Sequence, residues 1–261
     1  GVMSYLPTYL QMVYGYSATA SGLLLVPITV GMLVSSILSG VLVSRTDRYR
    51  IYPILGPLMA AGASFWLSRL TTSSPVWQIS AATFIMGAGV GLFFQLLVTV
   101  VQNALPVRHL GTATSGNNFF REVGVSLGAS LIGAAFSSGL TSNLTDRIGA
   151  LARSADPAVL GALAQFKDAD TSSLTPALVN ELPTALHDAV AGSYADALLP
   201  IFGWMIPLFV ATSVVALFLP EVPLSQKTAL EQVAEAEAEA EGAAEAEIEV
   251  SESTALRGGA Q

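Results

Sequence analysis

The chain has 261 residues, of which 52% are hydrophobic and only 11% are charged, and it contains no cysteine. Soluble domains carry about 25% charged residues, so this composition excludes an ordinary soluble protein and indicates a chain that lies mostly in lipid. The lack of cysteine excludes disulfides and thiolate metal sites. The formal charge of −8 comes from a Glu-rich end, since acids and bases balance over residues 1–220. A neutral body of this kind gives no reason to expect nucleic acid as a partner.

The chain opens on an apolar segment, residues 1–14, that has no basic n-region and no cleavage site. It is therefore not a signal peptide. It is also shorter than the roughly 20 residues that a helix needs to cross a bilayer. The sequence predicts a truncated membrane helix at this point, and we expect the chain to be a fragment of a longer protein.

Five further segments are apolar and long enough to span a membrane. They are residues 19–44, 51–70, 76–102, 111–140 and 197–219. With the partial first span they predict an all-α membrane protein, a six-helix bundle over residues 1–220. Pro27 and Pro207 lie inside spans and predict helix kinks.

Basic residues set the expected orientation, because cytoplasmic loops are enriched in Lys and Arg. The short loop 45–50 holds three arginines, and the loop 103–110 holds a fourth. We therefore expect this side to be cytoplasmic together with the tail, residues 221–261, and the polar loop 141–196 to be extracellular. Glutamates four residues apart repel each other on a helix, so the Ala/Glu-rich tail is predicted to be largely disordered.

The long loop 141–196 contains one periodic segment. Pro183 stands where a helix could begin, and apolar residues then recur every four positions, at Leu186, Val190, Tyr194 and Leu198. This pattern predicts an amphipathic helix on the membrane surface that could run into the last span. An extracellular gate or a partner site is the alternative interpretation.

Polar residues interrupt the span that begins at Gly111, in the sequence GTATSGNNFFREVGVSLG. A charge in hydrocarbon is costly, so such residues usually face a protein interior or a water-filled path. Helical spacing places five residues of this segment on one face. They are Thr114, Asn117, Arg121, Gly124 and Gly128.

Three segments carry a resemblance to a known family: YLPTYLQMVYGYSATASGLLLVP, the basic loop after Gly40, and GTATSGNNFFREVGVSLG. They resemble the second half of a major facilitator superfamily transporter, in particular the fourteen-helix drug:proton antiporters. The resemblance implies the C-terminal six-helix half of a plasma-membrane multidrug exporter that exchanges amphipathic or cationic small molecules for protons. It also implies a missing N-terminal half, which would carry the principal proton-coupling residues.

The same resemblance gives a meaning to the loop that follows Gly40. The family signature there is Gly, three residues, Asp-Arg, one residue, Gly-Arg, whereas this chain has Ser44-Arg45 and then Asp47-Arg48. The basic residues match and the carboxylate is displaced. The family implies a latch between cytoplasmic helix ends, and a basic loop that only sets topology is the other interpretation.

Transport-path candidates follow from the resemblance together with the polar segment. Five residues are expected to line the cytoplasmic half of the path and to bias protonation or gating. They are Arg121, Asn117, Asn118, Glu122 and Thr114. Neighbouring helical residues point about 100° apart, so Arg121 and Glu122 are not expected to pair side by side. The alternative role for Arg121 is to tie two helices together through backbone carbonyls.

Other polar and small residues in the spans are secondary candidates. Gln11 and Gln95 are expected either to hydrogen-bond between helices or to line the path. The pairs Gly124/Gly128 and Gly87/Gly91 are expected to let helices pack closely.

Enzyme chemistry has no support in the sequence. It has no nucleophile–base pair, no phosphate loop and no metal-ligand spacing, so we expect no enzyme activity, no metal and no cofactor. Two other functions stay open at this point: a non-transporting six-helix membrane subunit, and an uptake transporter of the same superfamily.

Overall fold

The computed structural model describes residues 1–46, 50–103, 110–153, 175–180 and 182–219, and the regular structure within these ranges is helical throughout. Its helices are α1 (Val2–Tyr14), α2 (Ala18–Leu23), α3 (Val26–Thr46), α4 (Ile51–Ser68), α5 (Val76–Asn103), α6 (Leu110–Arg153), α7 (Pro176–Asn180) and α8 (Thr184–Ala216). The prediction for the tail, residues 221–261, lies outside the described residues.

Five stretches of the described chain are long and apolar enough to cross a membrane. They are Ala18–Val43, Ile51–Ser68, Val76–Phe94, Leu110–Arg153 and Thr184–Ala216. The fold is therefore that of a multi-pass, all-α membrane protein, which confirms the predicted fold class.

The first full span is divided into two helices, where the sequence predicted one kinked helix. Pro27 stands in the first turn of α3 and leaves no N–H for the carbonyl of Leu23, against which its ring would also clash. Helix α2 accordingly ends at Leu23. At its other end, Ser17 caps α2 by accepting a hydrogen bond from the backbone N–H of Ala20 at 3.2 Å.

Close approach of glycines joins the helices α3, α5 and α4 in that order. A Cβ at Gly87 of α5 would lie 2.9 Å from the Cα of Ile28, and one at Gly91 would lie 2.9 Å from the Cα of Met32, both in α3. A Cβ at Gly89 would lie 2.9 Å from the backbone nitrogen of Ala60 in α4. Helix α5 thus presents glycines to neighbours on two opposite sides.

Helix α8 continues the row by packing against α4, and α6 packs in turn against α8. Ser213 of α8 donates a hydrogen bond to the carbonyl of Ile54 at 3.1 Å, so the two helices are also joined by a polar contact. Helix α1 lies against α8 on the side of the main apolar core. The largest side chains buried there include Tyr9, Leu6 and Leu198.

The ends of the helices fall into two groups. A small apolar cluster near Arg50 joins the end of α3, the start of α4, the end of α5 and the end of α8. It consists of Val43, Tyr52, Val100 and Leu219. We call this the basic end. At the opposite end, the Tyr14 hydroxyl donates to the carbonyl of Ser74 at 2.7 Å, joining the end of α1 to the turn between α4 and α5.

The fifth and last spans are longer than the sequence predicted. Helix α6 continues past residue 140 to Arg153, and α8 begins at Thr184 rather than near residue 197. Much of the segment 141–196 is therefore helical, including the part after Pro183 for which the sequence predicted a helix that could run into the last span. Hydropathy falls at Thr141, but the helix does not end there, because apolar side chains such as Leu144 and Ile148 still pack against the core.

The periodic segment after Pro183 is helical but does not present its apolar stripe to the membrane surface. Leu186, Val190, Tyr194 and Leu198 are each at most 5% exposed. Helices α1 and α6 lie against α8 and cover this stripe. The interpretation as a surface-bound amphipathic helix is therefore wrong, since burial within the protein satisfies the same pattern.

Replacing Gly87 by alanine should separate α3 from α5. Its Cβ would overlap the backbone of Ile28, and overpacking of this kind costs about 1–3 kcal/mol. We expect a lower melting temperature for the detergent-solubilised chain. Gly62→Ala is the matched control, because nothing described lies within 4 Å of a Cβ at Gly62 of α4. Equal stability of the two variants would contradict the close α3–α5 contact.

Candidate functional site

The first half of α6 carries the polar segment and has few neighbours in the described chain. Thr114 and Asn117 are partly buried, whereas Asn118, Arg121 and Glu122 are exposed. The fully buried residues of α6 are Leu140 and Leu144, both in its second half. The helix is therefore anchored at one end and leaves the candidate residues on an open face.

Arg121 and Glu122 form an ion pair, contrary to the expectation that they would not pair. The Nη2 atom of Arg121 donates to Oε1 of Glu122 at 3.1 Å, and the side chains are 44% and 65% exposed. Two long, flexible side chains can bridge the angle between adjacent helical positions when no other partner competes. The pair partly neutralises two charges that would otherwise stand alone on an apolar helix.

Two aromatic side chains that the sequence reasoning did not single out stand beside this ion pair. Phe119 and Phe120 are 63% and 75% exposed. Their ring centroids are 5.6 Å apart and their planes are nearly perpendicular. The adjacent phenylalanines next to two asparagines were the available signal, because such a group combines apolar and hydrogen-bonding surface. Phe120, Asn117 and Arg121 lie within about 100° of one another around the helix, whereas Phe119 points to the other side. The side of α6 that carries these three residues can therefore contact an aromatic ring, an amide and a charge at once.

The two glutamine candidates are placed differently. Gln11 is partly buried, and its Nε2 donates to the carbonyl of Pro7 at 3.2 Å, one turn earlier in the same helix. This bond lies within α1 and does not join two helices. Gln95 belongs to α5, but its side chain lies outside the described residues.

The glycine pairs of the sequence analysis also separate. Gly87 and Gly91 lie against the backbone of α3. In contrast, no described atom lies within 4 Å of a Cβ built at Gly124 or Gly128. The close packing expected at Gly124 and Gly128 is thus not made within the described part of this chain, because α6 meets α8 only farther along.

The loop motif is described only in part. Gly40 has no described atom within 4 Å of its Cβ position, and Arg45 is exposed in the last turn of α3. Asp47 and Arg48 lie outside the described residues. The proposed latch therefore stays a prediction.

A contact from Arg50 was not anticipated. Its guanidinium donates to the carbonyl of Leu217, the residue directly after α8. A cation is favourable there because the last carbonyls of a helix carry partial negative charge. The concentration of arginines in the loop was a signal for a cytoplasmic side, but nothing in the sequence pointed to α8 as the partner.

Metal chemistry finds no support in the part of the chain that the structure describes. No group of three or more His, Asp, Glu or Cys residues there could hold a metal ion. The site is instead an open helix face with mixed polar and aromatic character.

Comparison with known proteins identifies what this fold is similar to. Residues 1–129, which include the polar segment of α6, match the family model of the Major Facilitator Superfamily. An uncharacterized MFS-type transporter of Mycobacterium tuberculosis is 36% identical over 227 residues, covering 86% of this chain and 31% of that protein.

Two Bacillus subtilis proteins are also similar. The multidrug transporter protein MdtP is 28% identical over 246 residues, covering 89% of this chain and 45% of that protein. Multidrug resistance protein 3 is 28% identical over 201 residues, covering 76% of this chain and 39% of that protein. The chain thus spans less than half the length of each of these relatives.

These relatives are named as transporters or resistance proteins, which agrees with the prediction that the chain is not an enzyme. The matched segment, the helical membrane fold and the relatives agree with one another. The chain belongs to the major facilitator superfamily of transporters.

Proposed function

We propose that this chain is the C-terminal half of a fourteen-helix drug:proton antiporter that exports amphipathic or cationic small molecules across the plasma membrane. The observation that carries the proposal is the open face of α6, where an ion pair, amides and aromatic rings lie within a spanning helix. Similarity to longer multidrug proteins supports the same function.

The depth of Arg121 supports a protein or water-filled surrounding for this face. Arg121 lies eleven residues after Leu110, the first residue of α6. At the standard rise this is roughly 16 Å along the helix, close to half of a bilayer's hydrocarbon thickness. A charge at such a depth is costly in lipid. We infer that the remainder of the longer transporter covers this face and encloses a path near the midplane.

The chemistry of the face suits amphipathic cations. A flat aromatic group can pack on Phe120, and the amides of Asn117 and Asn118 can donate or accept hydrogen bonds. The carboxylate of Glu122 can exchange its partner Arg121 for a cationic group of the substrate. Such an exchange would leave the guanidinium of Arg121 without its partner, so the face would carry one net positive charge while a monocationic substrate is bound.

We place the basic end of the bundle, with Arg45 and Arg50, in the cytoplasm. The arginine-rich loop favours this side, and the end of α8 lies beside it through the contact between Arg50 and Leu217. The C-terminal tail would then also be cytoplasmic. Substrate would reach the face of α6 from the side on which α6 begins.

Arg121→Gln should impair transport in the complete protein. In membrane vesicles with an imposed pH gradient, we expect the initial rate of transport of an aromatic cationic dye to fall about tenfold, as for a lost charged contact in the path. Arg69→Gln is the matched control, because Arg69 is exposed at the opposite end of the bundle and contacts the ring of Phe65. Equal rates in both variants at equal membrane levels would exclude a transport role for Arg121.

The same substitution should leave the fold of the chain itself intact. Exposed ion pairs contribute about 0–1 kcal/mol, and the side chains of Arg121 and Glu122 are exposed. The detergent-solubilised Arg121→Gln chain should therefore melt within a few degrees of the original. A large loss of stability would instead assign Arg121 a structural role between helices, and would remove the basis for interpreting its transport defect as a path effect.

A further inference from the structure

The second half of α6 and the first half of α8 form an antiparallel pair whose base is dry and tightly packed. We call residues 139–153 and 184–197 the outer helix pair. A Cβ at Gly139 would lie 3.6 Å from the Cβ of Ala197, an ordinary van der Waals contact. Leu140 and Leu144 of α6 and Leu198 of α8 belong to the apolar core here. This base depends on buried apolar contacts alone.

The same two helices are also joined by an ion pair between Arg147 and Asp196. Arg147 lies eight residues beyond Gly139 along α6, roughly 12 Å at the standard rise, whereas Asp196 directly precedes Ala197 on α8. The guanidinium of Arg147 donates to Oδ2 of Asp196, and the side chains are 43% and 55% exposed. Among the described residues this is the ion pair that links two different helices, since the other two join adjacent residues. Arg147 lies beyond the dry base along α6, Asp196 lies at its edge, and both side chains are in contact with solvent.

Gly192 leaves the space that the Arg147 side of this ion pair occupies. A Cβ at Gly192 would lie 2.8 Å from Cζ of Arg147, closer than side-chain carbons normally come. The guanidinium therefore lies against the backbone of α8 at Gly192, and a side chain at that position would displace it. Glycine destabilises the interior of a helix more than any residue except proline. At position 192 it leaves room for the guanidinium of Arg147.

A cavity of about 550 Å³ lies beside the ion pair. It is bounded by Arg147 of α6, by Ala191 and Asp196 of α8, by Val13 of α1 and by the turn after Leu70. Ala191 is only 5% exposed, although it lines this space. Arg147 and Asp196 thus stand at the edge of a cavity where four parts of the chain meet.

We propose that Arg147, Gly192 and Asp196 form a releasable clasp that holds the outer helix pair closed over this cavity while its base stays packed. An exposed ion pair is weak and is screened by salt, whereas the apolar base is insensitive to screening. The ion pair can therefore break while the apolar contacts of the base stay formed, and it is the first of the two to break. This device concerns access at the end of the bundle opposite the basic end and does not depend on the transport proposed above.

The absence of cysteine from the chain allows a direct test of access to the cavity. Ala191→Cys in membranes is labelled with a membrane-impermeant maleimide, without any transport substrate. Adding Arg147→Gln or Gly192→Ala should raise the labelling rate roughly threefold or more. The first variant removes the positive charge, and the second fills the space that the guanidinium occupies. Arg153→Gln on the same helix is the matched control and should leave the rate unchanged.

Salt provides a second arm. Raising the ionic strength from about 0.01 M to about 1 M shortens the screening length about tenfold, so it should speed labelling of Ala191→Cys with the clasp intact. In the Arg147→Gln background the same change should have no effect. A salt response that is equal in both backgrounds would overturn the proposal.

A disulfide reports on the base in the same variants. The Cβ separation at positions 139 and 197 suits a disulfide, so Gly139→Cys with Ala197→Cys should cross-link on mild oxidation. The cross-link should form equally well with Arg147→Gln or Gly192→Ala. Its loss in those variants, or unchanged labelling of Ala191→Cys, would show that the clasp does not open separately from the base and would refute the inference.

Discussion

The contact on which the rest of the fold depends is the close approach of α5 to α3 on one side and to α4 on the other. In a membrane, lipid is as apolar as the helices, so association depends on packing between small residues. Gly87 and Gly91 face α3, and Gly89 between them faces α4. Residues two apart on a helix point about 200° apart. Three glycines within five residues therefore let α5 pack closely against a neighbouring helix on each of two opposite sides.

This arrangement determines what the remaining helices can contact. The other side of α4 packs against α8, and α6 packs against the first half of α8. Helix α6 is consequently the last in the row: it packs mainly against α8, with a smaller contact to α5, and its buried residues Leu140 and Leu144 lie in its second half. Its first half has no comparable support, which is why Arg121 and Glu122 find each other rather than a partner on another helix.

The membrane class and the number of spans followed from composition and hydropathy, because lipid requires long apolar helices. Helix ends outside the lipid did not follow, since the helix through Thr141 depends on tertiary packing of Leu144 and not on hydropathy. Burial of Tyr194 was missed for the same reason: an apolar stripe fits a membrane surface and a protein neighbour equally well.

The candidate site was predictable by position but not by pairing. A charge within an apolar span identifies Arg121 from sequence alone. Which atoms it contacts depends on the neighbours of α6, and a single sequence does not reveal them. The Arg50 contact with the end of α8 shows the same limit, because it joins residues 167 positions apart. Gly192 beneath Arg147 is a third case, since only the fold brings the two together.

Helix α6 thus has a fixed half and a free half. Gly139 lies against Ala197, and Arg121 stands eighteen residues away, roughly 27 Å along the same helix. Helix α6 is unbroken over this distance, so the packing of its second half also sets the direction of the half that carries Arg121 and Glu122. The open face of that half is the part that a partner or a ligand would contact.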